Sequence, residues 1–255
     1  MSIIKKSKPT EQSNGVYQLS AYSPHESFYL KLRTKEGRVL SDDLVKKLPD
    51  LPKNNPLFSE WQLRKDTQKR FCGYLKKKRR PLKILELGCG NGWFSSKMAE
   101  IKGVEVLGLD LNLLELEQAQ RLFGNERVEF AYGNIFENIF EKESFDMVVI
   151  NAAIQYFPSV SELFTVFFEI MKSHGEIHVL DSPFYKEEQI SEAKERSLEY
   201  YKSQDCTEMA NFYFHHGFQD LKPFSPTYRR TKFYFLKKVL RKKQNPFVWA
   251  IFRKK

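Results

Sequence analysis

Short apolar runs alternate with helix-period segments along the middle of the chain. The runs are KILEL (83–87), VEVLGL (104–109), RVEFA (127–131), FDMVVI (145–150) and EIHVLD (176–181). Between the second and third runs, Leu113, Leu116, Ala119 and Phe123 keep the spacing that buries one face of a helix, before Gly124 ends the pattern. This alternation is typical of βαβ units and predicts a parallel sheet covered by helices.

The pattern changes on both sides of this region. Residues 1–57 are polar and turn-rich and contain the connector KKLPDLPKNNP, and a helical pattern then begins at Phe58 and stops in the basic run KKKRRP. Beyond the alternation, KEEQISEAKERSLEYYKSQ predicts a helix, GFQDLKPF (217–224) a strand and FVWAIF (247–252) a final antiparallel strand. We therefore predict an N-terminal extension or lid over residues 1–57 and a main domain over residues 58–255.

Composition narrows the class of protein. The chain has 255 residues, 41% of them apolar and 15% aromatic, which is enough to bury a core. No apolar run approaches the ~18 residues of a membrane-spanning helix, and the N-terminus has no apolar stretch typical of a secretory signal. Three widely spaced cysteines form no Cys-x-x-Cys pair, so we expect a cytoplasmic protein without disulfides or a metal site.

Charge is distributed unevenly along the chain. Residues 1–83 carry 20 Lys and Arg against 8 Asp and Glu, and residues 222–255 carry 12 basic residues and no acidic one, whereas the middle is acidic. Basic ends suit an anionic partner, either a membrane surface or, ranked lower, nucleic acid. The alternative is that they are solvated faces or pair with the acidic middle.

The segment ILELGCGNGWFSSKMA (84–99) is the strongest candidate for chemistry. Its three glycines permit positive φ and close approach of a ligand, at the point where a helix presents its positive N-terminal end. The spacing is G-x-G-x-G, not the G-x-G-x-x-G of dinucleotide-binding loops, and Glu86 beside it disfavours a phosphate and favours a cationic group such as an ammonium. Asp110 closes the next strand, where a carboxylate can accept both hydroxyls of a ribose.

These motifs, in this order, resemble those of class I S-adenosylmethionine-dependent methyltransferases, especially the type 11 group, over about Leu82 to Phe184. The resemblance implies an α/β fold: a Rossmann-like, doubly wound, seven-stranded and mostly parallel sheet with an antiparallel last strand, preceded by a helical or irregular extension. It implies S-adenosyl-L-methionine as cofactor, with a binding core over residues 82–184 and a substrate-side part with a basic insertion over residues 185–255. The implied cofactor contacts are Glu86, Gly88, Cys89, Gly90, Asn91, Gly92, Asp110, Leu111, Asn134, Ile135 and Asn151. Asn134 stands where the family usually has Asp.

Residues for proton transfer and acceptor binding are less clear from the sequence. The candidates are Tyr156, which follows the fourth strand of the alternation, and His216, one of two adjacent histidines; Asp181 ends a strand at the expected ligand edge. Arg64 lies one turn after Trp61 and can pair with the cofactor carboxylate, although Trp61 can equally be an anchor for its helix.

We expect methyl transfer to a small-molecule or lipid-like acceptor by in-line displacement at the sulfonium methyl. Two alternatives remain: a non-catalytic cofactor-binding adaptor for nucleic acid or an anionic membrane, and a nicotinamide-dependent oxidoreductase. The basic C-terminal segment is expected either to lie on a membrane as an amphipathic helix (233–243), making the protein peripheral to the membrane, or to be an insertion before the last strand.

Overall fold

A computed structural model describes residues 3–5, 11–23, 25–229 and 245–254. These residues form one nine-stranded sheet. Its strands are β1 (Glu11–Ser13), β2 (Val16–Gln18), β3 (Leu82–Leu87), β4 (Val104–Asp110), β5 (Val128–Tyr132), β6 (Phe145–Asn151), β7 (Met171–Ser182), β8 (Thr227–Arg229) and β9 (Val248–Arg253). The strand order across the sheet is β1-β2-β5-β4-β3-β6-β7-β9-β8.

The five central strands are parallel, and β9 is antiparallel to both β7 and β8. The predicted α/β class and antiparallel last strand are therefore confirmed. The order reverses at β3, since β4 lies on one side of it and β6 on the other. Ligands of open α/β sheets bind at such a switch point, outside the carboxyl ends of the strands.

Helices cover both faces of the sheet. They are α1 (His25–Lys35), α2 (Asp42–Val45), α3 (Phe58–Lys76), α4 (Trp93–Ala99), α5 (Leu113–Phe123), α6 (Val160–Ile170), α7 (Ile190–Ser203) and α8 (Phe218–Leu221). The apolar faces of α3, α4 and α5 share one core with Ile84, while α6 lies in a second core with Leu85. Adjacent residues of β3 thus point to opposite faces, as the pleat of a strand requires.

Two stretches differ from the sequence prediction. The prediction of a strand over residues 217–224 is wrong, because this stretch forms α8 and a single 3₁₀ turn. The Asp220 carboxylate accepts a 2.8 Å hydrogen bond from the backbone N–H of Gly217, and Pro223 has no N–H for a strand ladder. The edge strand is instead β8, which starts at Thr227.

The N-terminal extension contains strands that were not predicted. β1 and β2 form a hairpin, and β2 joins the sheet through parallel pairing with β5, so the sheet has nine strands instead of seven. The hairpin turns at Asn14 and Gly15, whose φ angles are 50° and 82°. An Asn-Gly pair is a strong hairpin signal, because both central residues of a type I′ turn need positive φ.

Most of the basic C-terminal segment is outside the described residues. The predicted amphipathic helix over residues 233–243 lies outside the described residues. Among the described helices, none combines the length and the hydropathy needed to cross a bilayer.

Candidate functional site

A cavity of about 510 Å³ lies at the carboxyl ends of β3 to β6. Four loops line it from the sheet side: residues 87–91, which follow β3, residues 110–112 after β4, residues 133–135 after β5 and residues 151–153 after β6. The N-terminal extension, α3 and residues 209–214 close the opposite side. The volume is within the range of small-molecule sites, which is roughly 300–1,000 Å³.

The glycine loop bends sharply between β3 and α4. Gly88, Gly90 and Gly92 have φ angles of 74°, 51° and 71°, in the left-handed region that favours glycine. Packing adds a second requirement, because a Cβ on Gly88 would lie 2.4 Å from the Cβ of Ala153. The predicted loop residues from Gly88 to Asn91 line the cavity, whereas Gly92 packs against Phe130 beneath it.

Asp110 holds this loop in place from the end of β4. Its Oδ2 atom accepts a 2.8 Å bond from the N–H of Gly90, and its Oδ1 atom accepts bonds from the N–H groups of Leu111 and Asn112 at 2.7 and 3.0 Å. Burial raises the pKa of Asp110, although these three donors lower it. The Oδ1 atom thus accepts two bonds, whereas Oδ2 accepts one and keeps a lone pair for a ligand hydroxyl.

Five carboxyl groups line the same cavity, and those of Glu86, Asp110 and Glu115 lie beside the glycine loop. Burial, together with the nearby charge of Asp110, raises the pKa of Glu86 to about 8 and that of Glu115 to about 7. The hydroxyl of Ser95 donates to Glu86, and the side chain of Asn112 donates to Glu115 at 2.9 Å. The carboxyls of Glu86, Asp110 and Glu115 repel one another when ionised, so they favour a ligand with positive charge.

Of the predicted residues after β5, Asn134 already forms hydrogen bonds within the protein. The Oδ1 atom of Asn134 accepts a 3.1 Å bond from the N–H of Phe136, and the N–H of Asn134 donates to the Ser20 hydroxyl at 2.9 Å. Ile135 is buried, and it lines the cavity together with Leu111. These two apolar side chains suit the flat face of a ring.

Among the described residues that line the cavity, two have a buried side-chain polar atom without a hydrogen-bond partner. These atoms are the Oδ1 atom of Asn151, at the end of β6, and the Nε1 atom of Trp61 on α3. A buried polar atom without a hydrogen bond costs free energy, and a ligand in the cavity can satisfy it.

The N-terminal extension contributes one wall through α1. The Glu26 carboxylate accepts a 2.6 Å bond from the N–H of Leu113 and so ties α1 to the start of α5. Tyr29 and Arg33, one turn apart on α1, point into the cavity, and the Nε atom of Arg33 donates to the Tyr29 hydroxyl at 2.8 Å. Burial raises the pKa of Tyr29 strongly, so its hydroxyl keeps its proton.

Arg64, the residue predicted to pair with the cofactor carboxylate, lies at the cavity wall and donates to a carboxylate of the protein. Its guanidinium donates to Glu60 at 2.7 Å, and Arg38 donates to the same carboxylate through two nitrogens, at 3.0 and 2.7 Å. Arg38 belongs to the extension and Glu60 to α3. The two arginines hold the pKa of Glu60 at about 2 against the effect of burial.

The two candidates for proton transfer occupy different places. Tyr156 lines the cavity, and its ring contacts Tyr29 edge-on at a centroid distance of 5.7 Å. His216 lies outside this cavity, and its Nε2 atom bonds the carbonyl oxygen of Phe157 at 2.9 Å. His216 therefore anchors its loop. Asp181 also lies outside the cavity and accepts a 2.6 Å bond from the Thr67 hydroxyl.

Several lining residues were not predicted from the sequence. They are Glu26, Tyr29, Arg33, Arg38, Glu60, Trp93, Glu115, Met209, Asn211, Phe212 and Phe214. Glu115 had a detectable signal, since it follows the predicted Asp110 by five residues in the first turn of α5. Cys89 lines the cavity, but burial raises the pKa of its thiol well above the ordinary value, which makes it a poor nucleophile.

The sequence matches known proteins over its central part. A family model described as "Methyltransferase domain" matches residues 78–238. The demethylmenaquinone methyltransferase of Lactococcus lactis subsp. lactis (strain IL1403) is 31% identical over 116 residues, which are 42% of this chain and 46% of that protein. The chain thus spans less than half the length of this curated relative.

Solved structures share the fold. Phosphoethanolamine N-methyltransferase 2 of Haemonchus contortus, in complex with S-adenosyl-L-methionine, superposes with a TM-score of 0.58 at 16% identity, over 87% of this chain and 49% of that one. Geranyl diphosphate C-methyltransferase of Streptomyces coelicolor A3(2) gives a TM-score of 0.57 at 11% identity, over 81% and 84%. At such identities the likeness concerns the fold alone.

Proposed function

Since the chain belongs to the methyltransferase-domain family of S-adenosylmethionine-dependent enzymes, we propose that it transfers a methyl group from this cofactor to a small-molecule or lipid-like acceptor. The match to the family model confirms three predictions from the sequence: the family, the methyltransferase class of enzyme and S-adenosylmethionine as cofactor. The acceptor and the role of each site residue are our proposal. The observation that carries the proposal is one cavity that joins an acidic end, built on the glycine loop, to an aromatic end around Tyr156.

The acidic end fits the cofactor by its chemistry. When bound, S-adenosylmethionine supplies the methyl group of its positively charged sulfur. The product that leaves is S-adenosylhomocysteine, whose sulfur carries no charge. Its sulfonium and ammonium charges match the carboxyl groups of Glu86, Asp110 and Glu115. The unpartnered Oδ1 of Asn151 can accept from a ligand N–H, and the Nε1 of Trp61 can donate to a ligand oxygen. The residues present therefore fit the cofactor.

In this proposal the chain works chiefly by alignment. Asp110 accepts a ribose hydroxyl through its Oδ2 atom, Glu86 faces the ammonium group, and Leu111 and Ile135 pack against the adenine. The loop bonds from Gly90, Leu111 and Asn112 to Asp110 fix these positions relative to the sheet. Holding two reactants in line at short distance can supply much of the rate enhancement of a displacement reaction.

The aromatic end is the proposed acceptor site. Tyr29, Tyr156, Phe212 and Phe214 line it, and Arg33 is its cation. The Tyr156 hydroxyl is placed to orient the nucleophile of the acceptor through a hydrogen bond. An aromatic wall with few polar groups suits a largely apolar acceptor, which agrees with the lipid-like class predicted from the sequence.

A labelled-methyl assay tests this function. The protein is incubated with S-adenosylmethionine carrying a ¹⁴C methyl group and with a lipid extract or a pool of small metabolites, and organic, aqueous and macromolecular fractions are counted. We expect label in the organic or the small-molecule fraction, and its loss in Asp110→Ala. Label only in protein or nucleic acid, or none in any fraction, contradicts the proposed acceptor class.

Contact with an anionic membrane is a separate proposal. Arg70 and Arg229 stack on the Trp249 ring at the β8–β9 edge. The basic residues 230–244, which follow Arg229 in the sequence, are outside the described residues. Co-sedimentation with vesicles containing phosphatidylglycerol tests this contact. Binding that falls steeply with salt supports it, and equal recovery with neutral vesicles contradicts it. A cofactor-binding adaptor would show such binding without any methyl transfer.

A further inference from the structure

A second cavity, of about 970 Å³, adjoins the first. It lies between α7, the start of α6 and the segment that leads into α8. Pro158, Asn211 and Phe214 line both cavities. The second cavity therefore begins where the aromatic end of the first one stops.

The wall between the cavities is a single stretch of chain. Along residues 209–213, Met209 and Phe212 face the first cavity, whereas Ala210 and Tyr213 face the second. Neighbouring residues thus point to opposite sides, which leaves one chain thickness between the two spaces. The wall is fixed by the N–H of Phe214, which donates to the carbonyl of Gln155 at 2.7 Å.

Nine of the eighteen residues that line the second cavity are apolar or aromatic, and the other nine are polar or charged. Leu198 is 37% exposed although it is a large aliphatic side chain, and it lines this cavity. The charged groups are Lys194 and Asp220, both exposed, and the Asp220 carboxylate is occupied by the Gly217 N–H. Burial lowers the pKa of His215, whose Nε2 atom lies 2.8 Å from the Ser197 hydroxyl, so this histidine is neutral near pH 7.

The size of the first cavity also indicates that a long acceptor extends into the second cavity. Its 510 Å³ must accommodate the cofactor together with the reacting end of the acceptor, while one drug-sized ligand alone occupies a site of roughly 300–1,000 Å³. A long acceptor has to leave this space beyond Tyr156. The shared residues Asn211 and Phe214 put the second cavity directly on that route.

We propose that the second cavity binds the aliphatic chain of an elongated, amphiphilic acceptor whose polar end reacts beside Tyr156. This inference rests on the proposed methyl-transfer function and narrows the acceptor to a compound with a polar head and a hydrocarbon tail. Leu198 and Ala210 contact the tail from α7 and from the wall, respectively. Removal of the apolar tail from water provides most of its affinity.

A fluorescent chain probe tests the inference. 11-(Dansylamino)undecanoic acid is titrated into the 255-residue chain saturated with S-adenosylhomocysteine, and decan-1-ol is then added as a competitor. We expect enhanced, blue-shifted emission that decan-1-ol reverses. Leu198→Arg and Ala210→Phe should each weaken probe binding at least tenfold, with S-adenosylhomocysteine affinity unchanged within twofold. Leu114→Arg, a half-exposed leucine on α5 outside both cavities, is the matched control and should change neither affinity.

The outcomes separate this inference from the proposed function. If S-adenosylhomocysteine binds but the probe does not, or if the probe binds Leu198→Arg and Ala210→Phe as tightly as the wild type, the second cavity is not the tail site and the methyl-transfer proposal stands. If S-adenosylhomocysteine itself fails to bind, the proposed function falls and the inference falls with it.

Discussion

The Oδ2 atom of Asp110 accepts a 2.8 Å hydrogen bond from the backbone N–H of Gly90. This bond joins the end of β4 to the middle of the glycine loop, which follows β3, the strand at which the order of the sheet reverses. The carboxylate that we assign to the ribose therefore also sets the shape of the loop that faces the rest of the cofactor.

Asp110→Asn should weaken S-adenosylhomocysteine binding by about ten- to a hundredfold, since bonds to a charged acceptor contribute about 1.5–3 kcal/mol. Both carboxylate oxygens face backbone N–H donors, so the amide NH₂ of Asn meets a donor in either orientation. Isothermal titration calorimetry measures the change. The variant must keep the wild-type circular dichroism spectrum. Unchanged affinity in a folded variant would remove Asp110 from the site.

Cofactor binding should strengthen as the pH rises from 6 to 8.5. The pKa values of Glu86 and Glu115, raised to about 8 and about 7, leave these carboxyls largely protonated at pH 6, and a cationic ligand attracts only their ionised forms. Binding must then release protons, and affinity should rise by about tenfold or more over this range.

Calorimetry in two buffers of different ionisation enthalpy counts the released protons. Glu86→Gln should bind more weakly at pH 8.5 and lose most of the pH dependence above pH 7. Affinity that is independent of pH, with no proton release, is incompatible with the carboxyls facing the cationic groups.

Gly92→Ala should destabilise the fold by about 2–4 kcal/mol. Its φ of 71° disfavours any side chain, and a Cβ there would lie 2.5 Å from the Cζ atom of Phe130 and 2.7 Å from the Cβ of Ala119. Gly73→Ala is the control, because this glycine is in the interior of α3 with no atom within 4 Å of the added Cβ. The control should raise stability by about 0.5–1 kcal/mol. Urea unfolding compares the two variants, and equal stabilities would show that the loop is not packed as described.

Arg38→Ala should loosen the N-terminal extension. The two bonds from Arg38 to Glu60 connect the extension to α3 beside the cavity. We expect faster amide hydrogen exchange in residues 25–40 and severalfold weaker S-adenosylhomocysteine binding. Arg196→Ala, which breaks an exposed pair with Glu192 on α7, should leave both unchanged. Identical exchange in wild type and Arg38→Ala would argue against a lid.

The sequence was most informative where one element carries its own pattern. The stripe from Leu113 to Phe123 matches the bounds of α5, and Gly88, Gly90 and Gly92 could be recognised because they are contiguous with a predicted strand and helix. The hairpin was missed although Asn14-Gly15 signals it, because its strands have only three residues each. A strand was predicted at 217–224 because its apolar residues were considered without Pro223.

The far wall of the site could not be predicted, because long-range packing creates it. Leu32 of α1 packs with Tyr201, Cys206 and Met209, which are more than 160 positions later in the chain. With α1 packed in this way, Tyr29 and Arg33 line the cavity. No local periodicity in the sequence indicates this packing. Similarly, His216 was a candidate by residue type alone, and only the structure shows its ring bonded to backbone carbonyls.

Calorimetric titration of the purified chain with S-adenosylmethionine, S-adenosylhomocysteine and NADH tests the central claim most directly. The account predicts saturable, one-to-one binding of the first two compounds, weakened in Asp110→Asn, and no binding of NADH. Binding of NADH in preference to both, or no binding of either adenosyl compound by folded protein, would contradict it.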